Sequence, residues 1–493
     1  MRIFKENIFF VFIFIFAILL RVFYFTRIPL DYDELIDFSM RFKDLSLERF
    51  LSSFIRGDEH LPFSKIFLYL VYSVFGINDF TARLSSTFFY WLSIPILYKL
   101  VKDHFDIMSA KISIILFTFS FSILYYAQSS RSYMGYIFLS LLFLSIYMKQ
   151  MDNNKKTPLL FLSGLILMNM HVGGATLVLM ALTLLLLTKR IRGKEIFAFL
   201  FFGVLPLIGQ IYYFKAFDSI GVEHYLSRVD TNIIMEVTSS AFLNKVHGQT
   251  TYVKSLIPFY FFLTLLFLSL LRQKGEKAYS LLIFLIFPIL ITWSFSKIGF
   301  FVLEPKIYIY YLPLIFILIS TTLISAKLKR ILVYVLLMLC PLHLVYNLDL
   351  YQFKPNYSYR SSVHQAKNFF KGLKKQVIIS GCEKTDAETL YFYYHYNDTQ
   401  FKSAPITRIC NDKHIKNNHF VKNLKSQDYI VHHFLINETQ YPERYFNRKK
   451  RLMDDFKKEG FEIVLVKHPH GEWGIEQARK GHYDIEQWFL RKI

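Results

Sequence analysis

Long apolar runs recur from Ile8 to Tyr346, separated by short charged stretches. Nothing else in the chain narrows its fold as much. A helix rises about 1.5 Å per residue, so about 20 apolar residues cross a hydrocarbon core of about 30 Å. The runs predict about eleven spans: 7–25, 84–101, 109–126, 132–148, 158–171, 172–188, 196–214, 253–271, 279–296, 307–325 and 331–348. Between 158–171 and 172–188, His171 and Gly173-Gly174 suit a tight helical hairpin. The runs stop near Leu350. The expectation is a polytopic α-helical membrane domain over 1–349 and a C-terminal α/β domain over 350–493.

Charge sets the expected orientation. The net charge is +21, but its basic residues flank the apolar runs, so it argues for membrane loops and against nucleic acid. With the N-terminus cytoplasmic, one side receives Lys99 and Lys102, Lys149 and Lys155, Lys189 to Lys194, Arg272 to Lys277, and Lys327 to Arg330. The other side receives the 26–83 loop, Gln128–Arg131, His171, Glu304–Lys306 and the C-terminal domain. A cell-membrane protein with an extracytoplasmic C-terminal domain is therefore expected. In that compartment Cys382 and Cys410 are free to bridge. The first segment has a basic start, but Arg21-Val-Phe-Tyr-Phe stands where a small-residue cleavage site would be, so it reads as an uncleaved helix.

The 26–83 loop has helical patterning of its own. Leu35, Phe38, Phe42 and Leu45 share one face, and Leu47, Phe50, Leu51 and Phe54 another. A third helix is expected from Phe63 to Phe75, ended near Gly76. Such segments lie in the interface plane. Asp33-Glu34 opens the first of them, and Asp58-Glu59-His60 precedes the third. On the residues alone two readings stay open. Asp33 at a helix start satisfies free amides and the helix dipole; the same carboxylates beside a membrane surface can also serve a reaction centre. Arg21, at the end of a span, either snorkels to the interface or contributes positive charge. Arg83 either anchors a helix end or does the same.

The order of motifs is more specific than any one of them. Asp33-Glu34 is followed by Asp58-Glu59-His60-Leu61-Pro62-Phe63, then Val74-Phe75-Gly76 and Thr81-Ala82-Arg83-Leu84-Ser85. Tyr125-Tyr126-Ala127-Gln128-Ser129-Ser130-Arg131-Ser132-Tyr133 comes next. Glu304-Pro305-Lys306, Tyr308, Tyr311 and Pro313 stand late in the chain. This order resembles membrane glycosyltransferases of the C superfamily, in particular protein O-mannosyltransferases and lipid A aminoarabinose transferases. It covers residues 1–190 well and 300–320 moderately. The chain departs from the family pattern in having a single Pro62 where two prolines are usual, Ser129 for an acidic residue, and Lys306 for an arginine.

The resemblance implies transfer of a sugar from a polyprenyl-phosphate carrier to a hydroxyl or phosphate of a glycan, lipid or protein acceptor on the outer face of the membrane. The chain shows no Cys/His metal spacing and no nucleotide-binding fingerprint, so no metal and no cofactor beyond that donor is expected, with an acidic site from Asp31, Asp33 and Asp58 as the metal alternative. The resemblance also implies Asp33 or Glu34 as general base. It implies substrate contacts from Asp58, His60, Arg83, Gln128, Arg131, Tyr133, Lys306 and Tyr308. Two competing classes are a flippase of lipid-linked sugars and a non-catalytic scaffold. A flippase would call for repeated halves with charges at the midplane, and the chain shows no such repeat. A scaffold gives no reason for the motif set on one side. In the C-terminal domain, helices are expected over 362–373, 387–396 and 443–459, and strands over 376–380, 429–434 and 461–466.

Overall fold

A computed structural model describes residues 2–24, 62–76, 79–152, 157–171, 173–193, 276–297, 309–325, 359–371, 377–381, 406–409, 412–436, 442–467 and 484–493, with a few isolated positions besides. The chain divides into a helical unit reaching to Tyr351 and a second unit holding the chain from Gln352 onward. The first two interfacial helices, the spans at 196–214 and 253–271, nearly all of 331–348, the helix at 387–396 and both Cys382 and Cys410 lie outside the described residues.

The helical unit contains α1 (Arg2–Tyr24), α2 (Pro62–Phe75), α3 (Asp79–His104), α4 (Ile107–Phe119), α5 (Phe121–Gln128), α6 (Tyr133–Met151), α7 (Thr157–Met170), α8 (Gly173–Leu187), α9 (Glu276–Lys297) and α10 (Tyr311–Ser325). Helix α2 falls where the pattern placed it and stops at Gly76, whose φ of +74° suits a residue without Cβ. Among the described residues, α3 and α6 are long and apolar enough to cross a membrane, and α4 with α5 makes a third if counted as one bent span. Helices α7 and α8 are 14 and 15 residues long.

The expected span at 109–126 is not a single helix. It breaks at Ser120, and α4 and α5 diverge by 60°. Asp106 caps α4 by accepting from the amides of Met108 at 2.8 Å and Ser109 at 2.9 Å. The Ser120 hydroxyl accepts from the Ile123 amide and opens α5 as its cap. Apolar periodicity does not register the break, because both halves are apolar.

The bundle packs through a continuous apolar core running from Ile13 and Ala17 to Ile317. Polar links cross it. Ser113 of α4 meets Ser320 of α10 at 2.8 Å, and Tyr147 of α6 meets Ser280 of α9 at 3.1 Å. The α7–α8 hairpin forms as the glycine pair suggests. The Gly174 amide donates to the His171 carbonyl at 2.9 Å and the Gly173 amide to His171 Nδ1 at 3.1 Å. At the far end of the bundle Lys277 pairs with Asp152 at 2.7 Å, His104 lies 3.4 Å from Asp152, and Arg190 faces Glu276 at 3.5 Å.

The second unit is a mixed sheet flanked by helices. Its elements are α11 (Tyr359–Phe370), β1 (Val377–Gly381), β2 (Ile406–Arg408), α12 (Asp412–Asn417), α13 (His419–Lys422), β3 (Tyr429–Ile436), α14 (Pro442–Lys458), β4 (Phe461–Lys467) and β5 (Asp484–Lys492). Strand order is β2-β1-β3-β5-β4. The first three strands are parallel, β5 runs antiparallel to β3, and β4 antiparallel to β5. Strands β1, β3 and β4 and helices α11 and α14 fall within a few residues of expectation. Gly460, at φ +76°, ends α14.

Strand β5 was not expected. It lies between β3 and β4 with Gln487, Trp488, Phe489 and Leu490 all buried, so it lacks the alternation of a half-exposed strand. One face of the sheet packs Ile378, Ile430, Trp488 and Leu490 against Leu452 and Phe456 of α14. The other meets Phe369 and Phe370, which contact Tyr429 and Phe489.

Two outcomes test this packing. A Cβ at Gly174 would lie 2.6 Å from the Leu167 carbonyl oxygen, whereas one at Gly193 meets nothing within 4 Å. Gly174→Ala is expected to cost about 1–3 kcal/mol, read as a lower melting temperature of the purified chain, and Gly193→Ala to cause no loss. The second concerns His433, at the centre of the sheet, where Gln487 Nε2 lies 3.1 Å from its Nε2. Burial pushes its imidazole down to about 3, and a ring hydrogen bond to the Ser380 backbone only partly offsets this. The unfolded chain, titrating near 6.5, binds this proton first as pH falls. Stability therefore drops with falling pH between about 6.5 and 3, by about 1.4 kcal/mol per unit. Urea midpoints of the second unit in the full chain should show this slope, and His433→Gln should flatten it.

Candidate functional site

At one end of the helical unit, three chain segments meet around the close of α5. They are the end of α1, the start of α3 and the Gln128–Tyr133 loop. Ending α5 at Gln128 leaves the carbonyls of its last turn without helical partners. The start of α3 supplies donors. Arg83 Nε donates to the Gln128 carbonyl at 3.0 Å, Thr87 Oγ1 to the Ala127 carbonyl at 2.7 Å, and Ser86 Oγ to the Arg131 carbonyl at 3.0 Å. Arg83, Ser86, Thr87 and Gln128 are all buried. Arg131 is half-buried.

Gln128 also faces the other way. Its Nε2 donates to the Arg21 carbonyl at 3.2 Å, fastening α1 to the same loop. Arg21 is wholly buried. Its Nη1 donates to the Thr118 carbonyl at 2.8 Å, and its guanidinium sits 4.0 Å over the ring of Tyr90. It does not snorkel.

An aromatic chain extends from this loop across the bundle. Tyr125 contacts Tyr126 at 5.2 Å, and Tyr126 contacts Tyr133 at 4.9 Å. Tyr133 lies 5.9 Å from His171, and Tyr136 stacks on His171 at 4.4 Å with planes 13° apart. Tyr136 then meets Tyr310 at 5.3 Å, which contacts Tyr311 at 4.4 Å. The late Tyr310-Tyr311 segment, two residues beyond Tyr308, is thus brought to the end of the bundle that carries the Gln128–Tyr133 motif, 177 positions earlier (310 against 133).

The structure therefore places four of the residues read from the sequence together: Arg83, Gln128, Arg131 and Tyr133. It shows Arg83 and Gln128 bonded to the protein's own backbone. Asp33, Glu34, Asp58, His60, Lys306 and Tyr308 lie outside the described residues. Tyr136, Ser86, Thr87 and Thr118 were not singled out in the sequence. Ser86 and Thr87, three and four positions after Arg83 and so on its helix face, are the available signal, since such hydroxyls suit stray carbonyls. Among the described residues no His, Cys, Asp and Glu side chains group as a metal site.

ArnT from Cupriavidus metallidurans, bound to undecaprenyl phosphate, aligns with this chain over 97% of both lengths, with a TM-score of 0.59 at 12% identity. The chain shares the fold of that protein. The archaeal oligosaccharyltransferase AglB from Archaeoglobus fulgidus, in complex with an inhibitory peptide and a dolichol-phosphate, aligns at a TM-score of 0.47 and 10% identity, over 98% of this chain and 74% of that one. No family model and no curated protein matches the chain.

The bundle thus carries, at one end, two buried guanidinium groups tied to main-chain carbonyls. Arg83→Met is expected to leave the Gln128 carbonyl without its charged donor. The cost should be about 1.5–3 kcal/mol, against about 1 kcal/mol for Ser86→Ala, measured as melting of the purified protein.

Proposed function

We propose that the chain is an integral-membrane glycosyltransferase that moves a sugar from a polyprenyl-phosphate carrier to an acceptor hydroxyl on the outer face of the membrane. The observation that carries this is the gathering of Arg83, Gln128, Arg131 and Tyr133 at the end of the bundle to which Tyr136 ties the Tyr310-Tyr311 segment, within the fold of a protein seen bound to undecaprenyl phosphate.

The chemistry asks little of the protein beyond placement and charge. The acceptor oxygen attacks the anomeric carbon, and the bond from that carbon to the phosphate oxygen breaks. The acceptor proton passes to a carboxylate, Asp33 or Glu34, acting as general base. Polyprenyl phosphate leaves as a stable anion, so it needs positive charge more than a proton. Arg131 and Lys306 supply that charge. Lys306 acts as a point charge where an arginine would form a bidentate fork. Tyr308, Tyr133, Asp58 and His60 orient the sugar and phosphate by hydrogen bonds. Arg83 and Gln128 hold the loop that presents Arg131.

The test has two arms. Glycans extracted from cells with and without the gene, compared by mass spectrometry, should differ by one sugar, which identifies donor and acceptor. Purified full chain is then assayed with a panel of polyprenyl-phosphate hexoses and pentoses. Asp33→Asn is expected to slow transfer by about 10²- to 10⁴-fold while the protein still inserts and melts normally. Full activity of an Asp33→Asn, Glu34→Gln double variant would remove the base assignment. An unchanged glycan profile, with no transfer from any donor in the panel, would remove the transfer reading itself.

A further inference from the structure

The α4–α5 break leaves carbonyls at the end of α4 without helical donors, and a wholly buried cation answers one of them. Arg21 reaches from α1 to the Thr118 carbonyl at 2.8 Å, within the last turn of α4. Tyr90 lies between Arg21 and that turn as a stacked layer. Its ring is 4.0 Å from the guanidinium carbon on one contact and 5.5 Å from Phe117 on the other, at 5° to it. Beyond the break, Gln128 at the end of α5 donates to the carbonyl of Arg21 itself at 3.2 Å. One residue is thus bonded to both halves of the bent helix, by its side chain to α4 and by its carbonyl to α5.

This arrangement costs more than a structural tie requires. Nε and Nη2 of Arg21 make no hydrogen bond. A buried guanidinium answered by one carbonyl and one ring face is expensive in a bilayer, where charged side chains mark function more often than packing. A hydroxyl would hold the same carbonyl at lower cost, as Thr87 does at Ala127 and Ser86 at Arg131. What a hydroxyl lacks is reach and planarity. The guanidinium spans from α1 to α4 and sits 4.0 Å over the Tyr90 ring, so it bears on the angle of the break as well as the bond.

We infer that Arg21 is a positioning residue, which sets the α4–α5 bend and through Gln128 fixes the loop bearing Arg131 and Tyr133. Its role in turnover rests on the transfer reading above. Arg21 touches no reacting atom. It acts by placing the loop, and a displacement of about 1 Å there lowers the rate about 10²-fold while leaving the charge of Arg131 available to bind a phosphate.

The test uses the full chain in lipid nanodiscs, as wild type, Arg21→Gln, Arg21→Lys and Ser113→Ala. The last breaks the Ser113–Ser320 contact of α4 with α10 and serves as a purely structural control. Three quantities are read: amide exchange of 121–131 against 157–187, affinity for undecaprenyl phosphate, and turnover with the donor that supports it. In Arg21→Gln, exchange of 121–131 should rise about tenfold or more while 157–187 changes less than about threefold. Turnover should fall about tenfold or more, with undecaprenyl phosphate affinity within about threefold of wild type. Arg21→Lys should fall between, and should report the same trend if Arg21→Gln does not insert. Ser113→Ala should keep its turnover.

An even rise of exchange across both segments would overturn the inference, as would wild-type behaviour of Arg21→Gln. So would a tenfold loss of undecaprenyl phosphate affinity with turnover intact at saturating donor, since Arg21 would then touch the phosphate itself. If wild type transfers nothing from any donor, the transfer reading fails, and the exchange data alone decide whether Arg21 sets the bend.

Discussion

A carbonyl left open inside a membrane bundle has to find a donor, and the end of the helical unit with the Gln128–Tyr133 loop is organised by that requirement. Water is not there to satisfy it, so each break in a helix must be met by side chains. The chain breaks helix twice in a short distance, at Ser120 and again after Gln128. The carbonyls so released, at Thr118, Ala127, Gln128 and Arg131, are met by Arg21, Thr87, Arg83 and Ser86 in turn. Those donors come from α1 and α3, so the same bonds that satisfy the backbone lock three segments together. The loop they enclose carries the Gln128–Tyr133 motif. Its rigidity is a by-product of satisfying the backbone around it.

Much of this was legible in the sequence for a definite reason. Segment type is written in hydrophobic runs and their stop signals, so α1, α3, α6 and the α7–α8 hairpin appear where the pattern sets them. In the second unit, alternation and a stop glycine located β1, β3, β4 and α14. What escaped detection was structure not encoded in periodicity. The bend at Ser120 lies between two equally apolar halves, and only a serine cap distinguishes it from continuous helix. Strand β5 is covered on both faces, so its Gln487-Trp488-Phe489-Leu490 core shows no alternation. Motif order brought Arg83, Gln128, Arg131 and Tyr133 to notice as a set. It could not say that Arg83 faces a backbone carbonyl, because donors to carbonyls and donors to phosphate are the same residue type.

The hairpin at His171 shows how a short motif ties distant parts of the chain. Gly173 and Gly174 allow α8 to approach α7 closely, and a Cβ at Gly174 would meet the Leu167 backbone. That close approach sets His171 at the tip, where its ring stacks on Tyr136. Tyr136 in turn carries the contact to Tyr310. Three glycine- or aromatic-dependent contacts thus bring residues near 310 to the loop near 130. The late segment needs no long connecting element to reach the site, since the side chains of α6 and the hairpin already bridge the gap.

The two ends of the bundle hold their charged side chains through different contacts. At one end, Lys277 meets Asp152 and Arg190 meets Glu276, so cations are neutralised by carboxylates. At the other, Arg21 is met by a carbonyl and a ring face, and Arg83 donates to a carbonyl. For Arg21, a carbonyl dipole orients the guanidinium without cancelling its charge. Within a low-dielectric surround, charge held in this way raises the potential nearby far more than it would in water. Under the proposed reading these two groups do not meet the phosphate themselves; they fix the loop that presents Arg131, so its charge needs no reorganisation when the phosphate leaves. Under the proposed transfer, polyprenyl phosphate leaving as an anion is the species that fixed positive charge at this end would favour. An acceptor hydroxyl would gain nothing from it, and needs its base supplied from elsewhere. The proposed reaction therefore divides between the bundle, which holds the positive charge, and the 26–83 loop, which carries the carboxylates.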